Sequence, residues 1–149
     1  MIVKSLEQLN SLSRKVADQL IKNDCIFLIG EIGVGKTTFT RYLINYLQEK
    51  NREKITEVLS PTFNLLYEYD LKNFKIMHYD LYRIRDEKEL KHLGIFSDKQ
   101  DTIKIIEWPQ LINIPSLDKL EIYIDYVKNE YEREVKFKGT GKWKILNEL

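Results

Sequence analysis

The chain has 149 residues, 43% hydrophobic and 32% charged, with 24 basic against 23 acidic side chains for a net charge of +1. That balance predicts a single globular domain over residues 1–149 and excludes a disordered chain; near-neutrality also excludes a global field that would hold nucleic acid or an anionic membrane unaided. One cysteine excludes an internal disulfide and points to a reducing, cytoplasmic setting, and two histidines spaced far from it give no structural zinc site.

The first segment, MIVKSLEQL, has no apolar signal core. Leu6, Leu9, Leu12, Val16, Leu20 and Ile21 recur at helical spacing, and Ser5 with Gln8 forms a capping box at the start of that helix. Asn23-Asp24 is a turn signal, and Cys25 to Ile29 is a continuous apolar run of the kind buried on both faces of a parallel sheet. It is the longest apolar run and far too short to cross a bilayer. A glycine-rich loop follows, then a helix from Thr37 to Lys50 carrying Phe39, Leu43, Tyr46 and Leu47 on one face.

The middle of the chain predicts strands. Phe63, Leu65, Tyr67 and Tyr69 alternate with Asn64, Leu66 and Glu68; Asp70 to Asn73 makes a hairpin turn into a second strand, Phe74 to Tyr79. Asp86 with Glu89 opens a short helix that Gly94 closes. Ile103, Ile105 and Ile106 form another buried strand, and Leu120 to Val127 and Tyr131 to Lys138 two more, joined by a turn at Asn129-Glu130. Trp143 to Leu146 ends the chain as a strand or helical turn. The order predicts an α/β three-layer sandwich with a mixed sheet, parallel in its core with antiparallel additions.

Residues 30 to 37 read GEIGVGKT, matching G-x-x-x-x-G-K-[ST] between a strand and a helix. Glycines permit positive φ and turn successive N–H groups inward as a nest for phosphates, and the helix behind adds its unpaired donors and dipole. Lys36 supplies charge for the β- and γ-phosphates, and the Thr37 hydroxyl suits Mg²⁺. The loop therefore predicts a P-loop nucleotide site.

Hydrolysis or transfer needs more than a phosphate cradle: a carboxylate on the metal side and a group that positions the nucleophile. Glu107, at the end of the strand in IKIIEWPQ, falls where ligands collect in open α/β sheets, although a solvated turn glutamate would look the same. Trp108 either packs on the nucleotide or plugs the edge of the core. Asp80 in HYDLYR follows a strand in the same way and would need a partner when buried, with Arg83 nearby or a metal-bound water as candidates; a plain helix cap is the alternative. His78 alternates with Ile76 and is expected to be a satisfied strand histidine. In SPTF, Pro61 forces Ser60 into an extended conformation and presents Thr62 as a hydroxyl that either senses a γ-phosphate or simply enters a strand.

Taken in order, GEIGVGKTT, SPTF, HYDLYR, LGI at 93 to 95 and IIEWP resemble the TsaE (YjeE) family over essentially the whole chain. The resemblance implies a P-loop ATPase needed for threonylcarbamoyladenosine modification of tRNA. It implies ATP contacts from Glu31, Ile32, Gly33, Val34, Gly35, Lys36, Thr37 and Thr38, with Trp108 beside the nucleotide and Leu6 and Arg133 at its edge. It assigns catalysis to Lys36, Asp80 and Glu107, and Mg²⁺ to Thr37, Asp80 and Glu107. Partners implied are TsaB-type and TsaD-type proteins, with tRNA reached only through them and no membrane. The departures, Ile32 and Val34 where Leu and Ala are usual and Gln110 where Glu is common, remove no chemical group the mechanism needs.

Two other functions fit a P-loop. A small-molecule kinase would carry an arginine-rich helical lid, whereas the second half here is strand-rich with few arginines, Arg83, Arg85 and Arg133. A nucleotide-dependent interaction module would bind without useful hydrolysis.

Overall fold

The computed structural model describes residues 1–97, 101–115 and 117–149. Its framework is one seven-stranded sheet with the strands β1 (Ile2–Val3), β2 (Cys25–Ile29), β3 (Leu66–Asp70), β4 (Lys75–Asp80), β5 (Thr102–Glu107), β6 (Leu120–Tyr126) and β7 (Arg133–Gly139), in spatial order β1-β7-β6-β2-β5-β4-β3. β6, β2, β5 and β4 run parallel; β3 pairs antiparallel on one edge, and on the other β7 runs antiparallel to both β6 and β1. This is the mixed sheet expected, with β1 added, a pair too short to leave a pattern of its own.

Two helices, α1 (Leu6–Ala17) and α2 (Lys36–Lys50), cover one face. Ser5 caps α1 by accepting from the Gln8 N–H at 3.2 Å, and the Gln8 side chain reciprocates to the Lys4 N–H at 2.7 Å. Leu9, Leu12 and Val16 from α1 and Phe39, Leu43 and Leu47 from α2 pack on Ile26, Leu28, Ile105 and Ile122. The other face carries Phe27, Met77, Tyr79 and Ile106 under Leu81, Ile95 and irregular chain around the short helix α3 (Glu87–His92), whose cap Asp86 accepts from Glu89 N–H at 2.9 Å. The alternation of β2, with Ile26 and Leu28 to one side and Cys25 and Phe27 to the other, is why that run had to be apolar throughout.

Two boundaries differ from expectation by three or more residues. α1 stops at Ala17, leaving Ile21 63% exposed beyond it, because the chain turns into the Asn23 corner (φ 71°). The third strand begins at Leu66: Leu65 takes φ 65° and its N–H closes a turn onto the Pro61 carbonyl, so Phe63 lies 81% exposed in a loop. The last element is the helical turn of the two forms expected, a 3-10 helix at Gly141–Leu146 that seats Trp143 in the core.

Candidate functional site

The loop after β2 and the first turn of α2 lie over the carboxyl ends of β4 and β5, the place an open parallel sheet leaves for a ligand. Gly33 and Gly35 both hold positive φ, 77° and 122°, which lets the loop curl without a Cβ penalty; nothing stands near Gly35, so its requirement is conformational rather than spatial. No acidic residue of α2 itself occupies its first turn, so the helix's own N-terminal donors and dipole favour an incoming anion.

A cleft of about 230 Å³ opens there. On its loop side are Ile32, Gly33, Gly35, Lys36, Thr37 and Thr38, and on its sheet side Asp80, Glu107 and Trp108. The Lys36 ammonium donates to the Gly30 and Glu31 carbonyls at 2.7 and 2.8 Å and lies 4.7 Å from the Trp108 ring centroid. Burial pulls this lysine below its ordinary pKa range, with the Glu107 and Asp80 carboxylates pushing the other way. A partly desolvated cation of this kind gains from an arriving anion.

Glu107 ends β5 directly opposite Asp80 at the end of β4. It is 1% exposed and accepts the Thr37 hydroxyl at 3.2 Å on Oε1, while His78 Nε2 lies 3.4 Å from Oε2. His78, expected to be a satisfied strand histidine, is buried within β4, but neither ring nitrogen makes a hydrogen bond among the described residues; the Glu107 carboxylate lies within ion-pair range of its Nε2. Asp80 differs from Glu107 in being fully engaged. Its Oδ2 accepts from Thr62 Oγ1 at 3.0 Å and its Oδ1 from the Tyr82 N–H at 2.9 Å. Thr62 in turn shares a hydrogen bond with Ser60 at 2.8 Å. Arg83, a candidate partner for Asp80, instead lies 5.4 Å over the Phe63 ring, because the loop that exposes Phe63 carries that ring out beside it.

Among the described residues no group of three or more His, Cys, Asp or Glu could hold a metal ion. Mg²⁺ does not need such a group, since it takes one or two protein oxygens and completes its shell with waters and phosphates. The Thr37 hydroxyl against the Glu107 carboxylate, with Asp80 beside it, is a hard-oxygen donor set of that kind.

Trp108 takes φ 57°, a left-handed conformation rare outside glycine, so the strand is broken at Trp108 itself before Pro109 diverts the chain. The turn swings the indole back over Lys36 and against Tyr82, whose ring lies 4.8 Å away at 52°. Tyr82, which lines the cleft, is not singled out by sequence; its signal is its place two residues after Asp80 in HYDLYR.

The remaining residues gather elsewhere. Leu6, Val34 and Arg133 line a second cavity of about 200 Å³ on the far side of the loop, which shares Gly33, Gly35 and Thr38 with the first. Glu31 lines neither cavity and joins the site through its carbonyl alone.

A family model for the threonylcarbamoyl adenosine biosynthesis protein TsaE matches residues 3–135. A Rickettsia conorii protein named tRNA threonylcarbamoyladenosine biosynthesis protein TsaE is 39% identical over 110 residues, 74% of this chain and 61% of its own length. A Rickettsia felis protein of the same name is 38% identical over 75% of this chain and 63% of its own length, so the chain spans about three fifths of these relatives. The Bacillus subtilis protein of that name is 31% identical over 91% of this chain and 82% of its own. The crystal structure of Bacillus subtilis YdiB superposes with a TM-score of 0.71 at 26% identity, covering 99% of this chain and 90% of that one.

Proposed function

The chain belongs to the TsaE family, and on that premise we propose that it binds and slowly hydrolyses ATP with Mg²⁺, serving tRNA N6-threonylcarbamoyladenosine modification as an accessory to TsaB-type and TsaD-type proteins. The observation that carries the chemistry is the Thr37–Glu107 contact, which ties the phosphate loop to the end of β5 at the bottom of the cleft. The relatives' names support the pathway. A net charge of +1 supports contact with tRNA only through the partners.

In this reading the loop amides and Lys36 hold the phosphates. Thr37 and Glu107, with Asp80 close by, would hold Mg²⁺, which would supply neutralisation of the phosphates' negative charge. Asp80, held at both oxygens by Thr62 and the Tyr82 N–H, keeps lone pairs that would orient a water hydrogen, and its hydrogen bond fixes Thr62 on the wall of the cleft. Trp108 and Tyr82 wall the cleft on one side and exclude water from Lys36.

Among the described residues lining the cleft, Lys36 is the one cation. Arg83 lies over Phe63, and Arg133 lies on the second cavity. Charge developing on the transferred phosphoryl group is therefore under-stabilised by this chain alone, and an arginine supplied from outside is worth roughly 10³–10⁵ in rate. ATP turnover by the isolated chain is expected to be slow and to rise at least about tenfold with a TsaB–TsaD pair. Rapid turnover alone that the pair leaves unchanged would overturn the accessory reading.

A simpler binding test uses the indole. Because Trp108 stacks beside Lys36 while Trp143 is 1% exposed and outside the cleft, ATP is expected to change tryptophan emission, and Trp108→Phe to abolish the change. An undiminished response in that variant would place the nucleotide elsewhere.

A further inference from the structure

Tyr126 and Arg133 face each other across the antiparallel β6–β7 ladder, at the end of one strand and the start of the next. The guanidinium lies 4.5 Å over the Tyr126 ring. From this one cross-strand pair, two donors reach the phosphate loop. The Tyr126 hydroxyl donates to the Ile32 carbonyl at 3.2 Å, and Arg133 Nε donates to the Val34 carbonyl at 2.9 Å.

These contacts account for four of the loop's carbonyls, and the Gly35 carbonyl accepts from the Phe39 N–H of α2 at 2.9 Å. Lys36 takes the Gly30 and Glu31 carbonyls; Tyr126 and Arg133 take those of Ile32 and Val34. A phosphate nest works only while its N–H groups point inward, which requires neighbouring carbonyls to point away. Each of those four carbonyls is held by a side-chain donor. Arg133 is in turn fixed on its own hairpin, its Nη1 donating to the Glu130 and Glu132 carbonyls at 2.7 and 2.8 Å. Three of the five guanidinium N–H donors are thus on backbone carbonyls, which fixes the side chain against the loop.

We propose that the Tyr126–Arg133 pair is the device that holds residues 31–35 in their anion-binding conformation, with Tyr126 as a positioning residue for nucleotide binding. The inference rests on the nucleotide reading above and deepens it. In it, the antiparallel β6–β7 extension braces the phosphate loop from outside the cleft. Arg133 then belongs to the site through the loop it holds.

Tyr126→Phe isolates the device, because it removes one hydroxyl and keeps the ring under Arg133. In the full chain without nucleotide, backbone amides 31–35 are expected to exchange hydrogen about two- to tenfold faster, the value of one lost hydrogen bond, while exchange elsewhere and the melting temperature stay as in wild type. ATP affinity by calorimetry is expected to fall by a similar factor, because the loop must then be ordered at the ligand's expense. Arg133→Lys, which keeps a charge but loses the Nε donor, is expected to act in the same direction. Unchanged exchange at 31–35 in Tyr126→Phe overturns the proposal, and so does faster exchange with ATP affinity intact. The exchange measurement needs no nucleotide, so a wild-type chain that fails to bind ATP would sink the proposed function while the loop result still decides the role of Tyr126.

Discussion

Glu107→Gln is expected to lower partner-stimulated ATP hydrolysis by about 10²–10⁴-fold, the range for losing a catalytic acid–base or charged group, while ATP affinity stays within a few-fold of wild type. The substitution keeps the shape of the side chain and an oxygen that can still accept from Thr37. What it removes is negative charge, at 1% exposure, beside a histidine that makes no hydrogen bond among the described residues. Burying a charge is costly unless it is well paired. The melting temperature of Glu107→Gln is therefore expected to hold or rise, the trade seen where a site keeps a group for function against the interest of the fold. Asp80→Asn makes the contrast. Both Asp80 oxygens accept hydrogen bonds, from Thr62 and from the Tyr82 N–H, so an amide cannot replace both acceptors, and that variant should lose stability together with activity. Calorimetric melting and steady-state kinetics on the two variants separate the roles. A Glu107→Gln protein that melts early but hydrolyses ATP normally would make Glu107 structural.

Much of this site was legible because its chemistry is local in sequence. GEIGVGKT lies between a strand and a helix, and IIE ends a strand; both statements need only short-range pattern, and the structure brings Lys36, Thr37 and Glu107 together accordingly. What escaped depends on partners distant in the chain. Tyr126 continues the alternation of Leu120, Ile122 and Ile124, which marks it as a core position, yet it lies 45% exposed with its hydroxyl on Ile32, 94 residues away. Pattern cannot distinguish the last core residue of a strand from the first residue that reaches beyond the core. Phe63 misled for the opposite reason: the alternation from Phe63 to Tyr69 is genuine in sequence, but Leu65 adopts a left-handed conformation that a β-branched or aromatic count does not register. His78 was placed correctly in its strand, and only the fold reveals that the diagonal neighbour on β5 is Glu107 rather than a hydrogen-bonding partner in good geometry.

Gly30→Ala is expected to cost about 1–3 kcal/mol or more in stability, with loss of most ATP affinity. The reason is space. A Cβ on Gly30 would overlap the Ile124 carbonyl oxygen of β6 and press on Val34 Cγ1 at 2.9 Å. Neither neighbour can yield cheaply, since Ile124 is 0% exposed and pairs with Val135 across the ladder while Val34 is 2% exposed. The loop must therefore lift away from β6, and in lifting it would carry Ile32 and Val34 off the Tyr126 and Arg133 donors and Gly30 off Lys36. At roughly 2–4 °C per kcal/mol for a chain of this size, a fall in melting temperature of roughly 2–12 °C is expected. Gly94→Ala serves as the comparison. Gly94 holds φ 59°, but a Cβ there meets only the Ser97 side chain, at 3.4 Å for Oγ, and the residue follows α3 outside both cavities. It should cost about 1 kcal/mol of backbone strain and leave ATP affinity unchanged. If Gly30→Ala binds ATP as tightly as Gly94→Ala does, contact between the phosphate loop and β6 is not what holds the nest, and the bracing role of the β6–β7 extension fails with it.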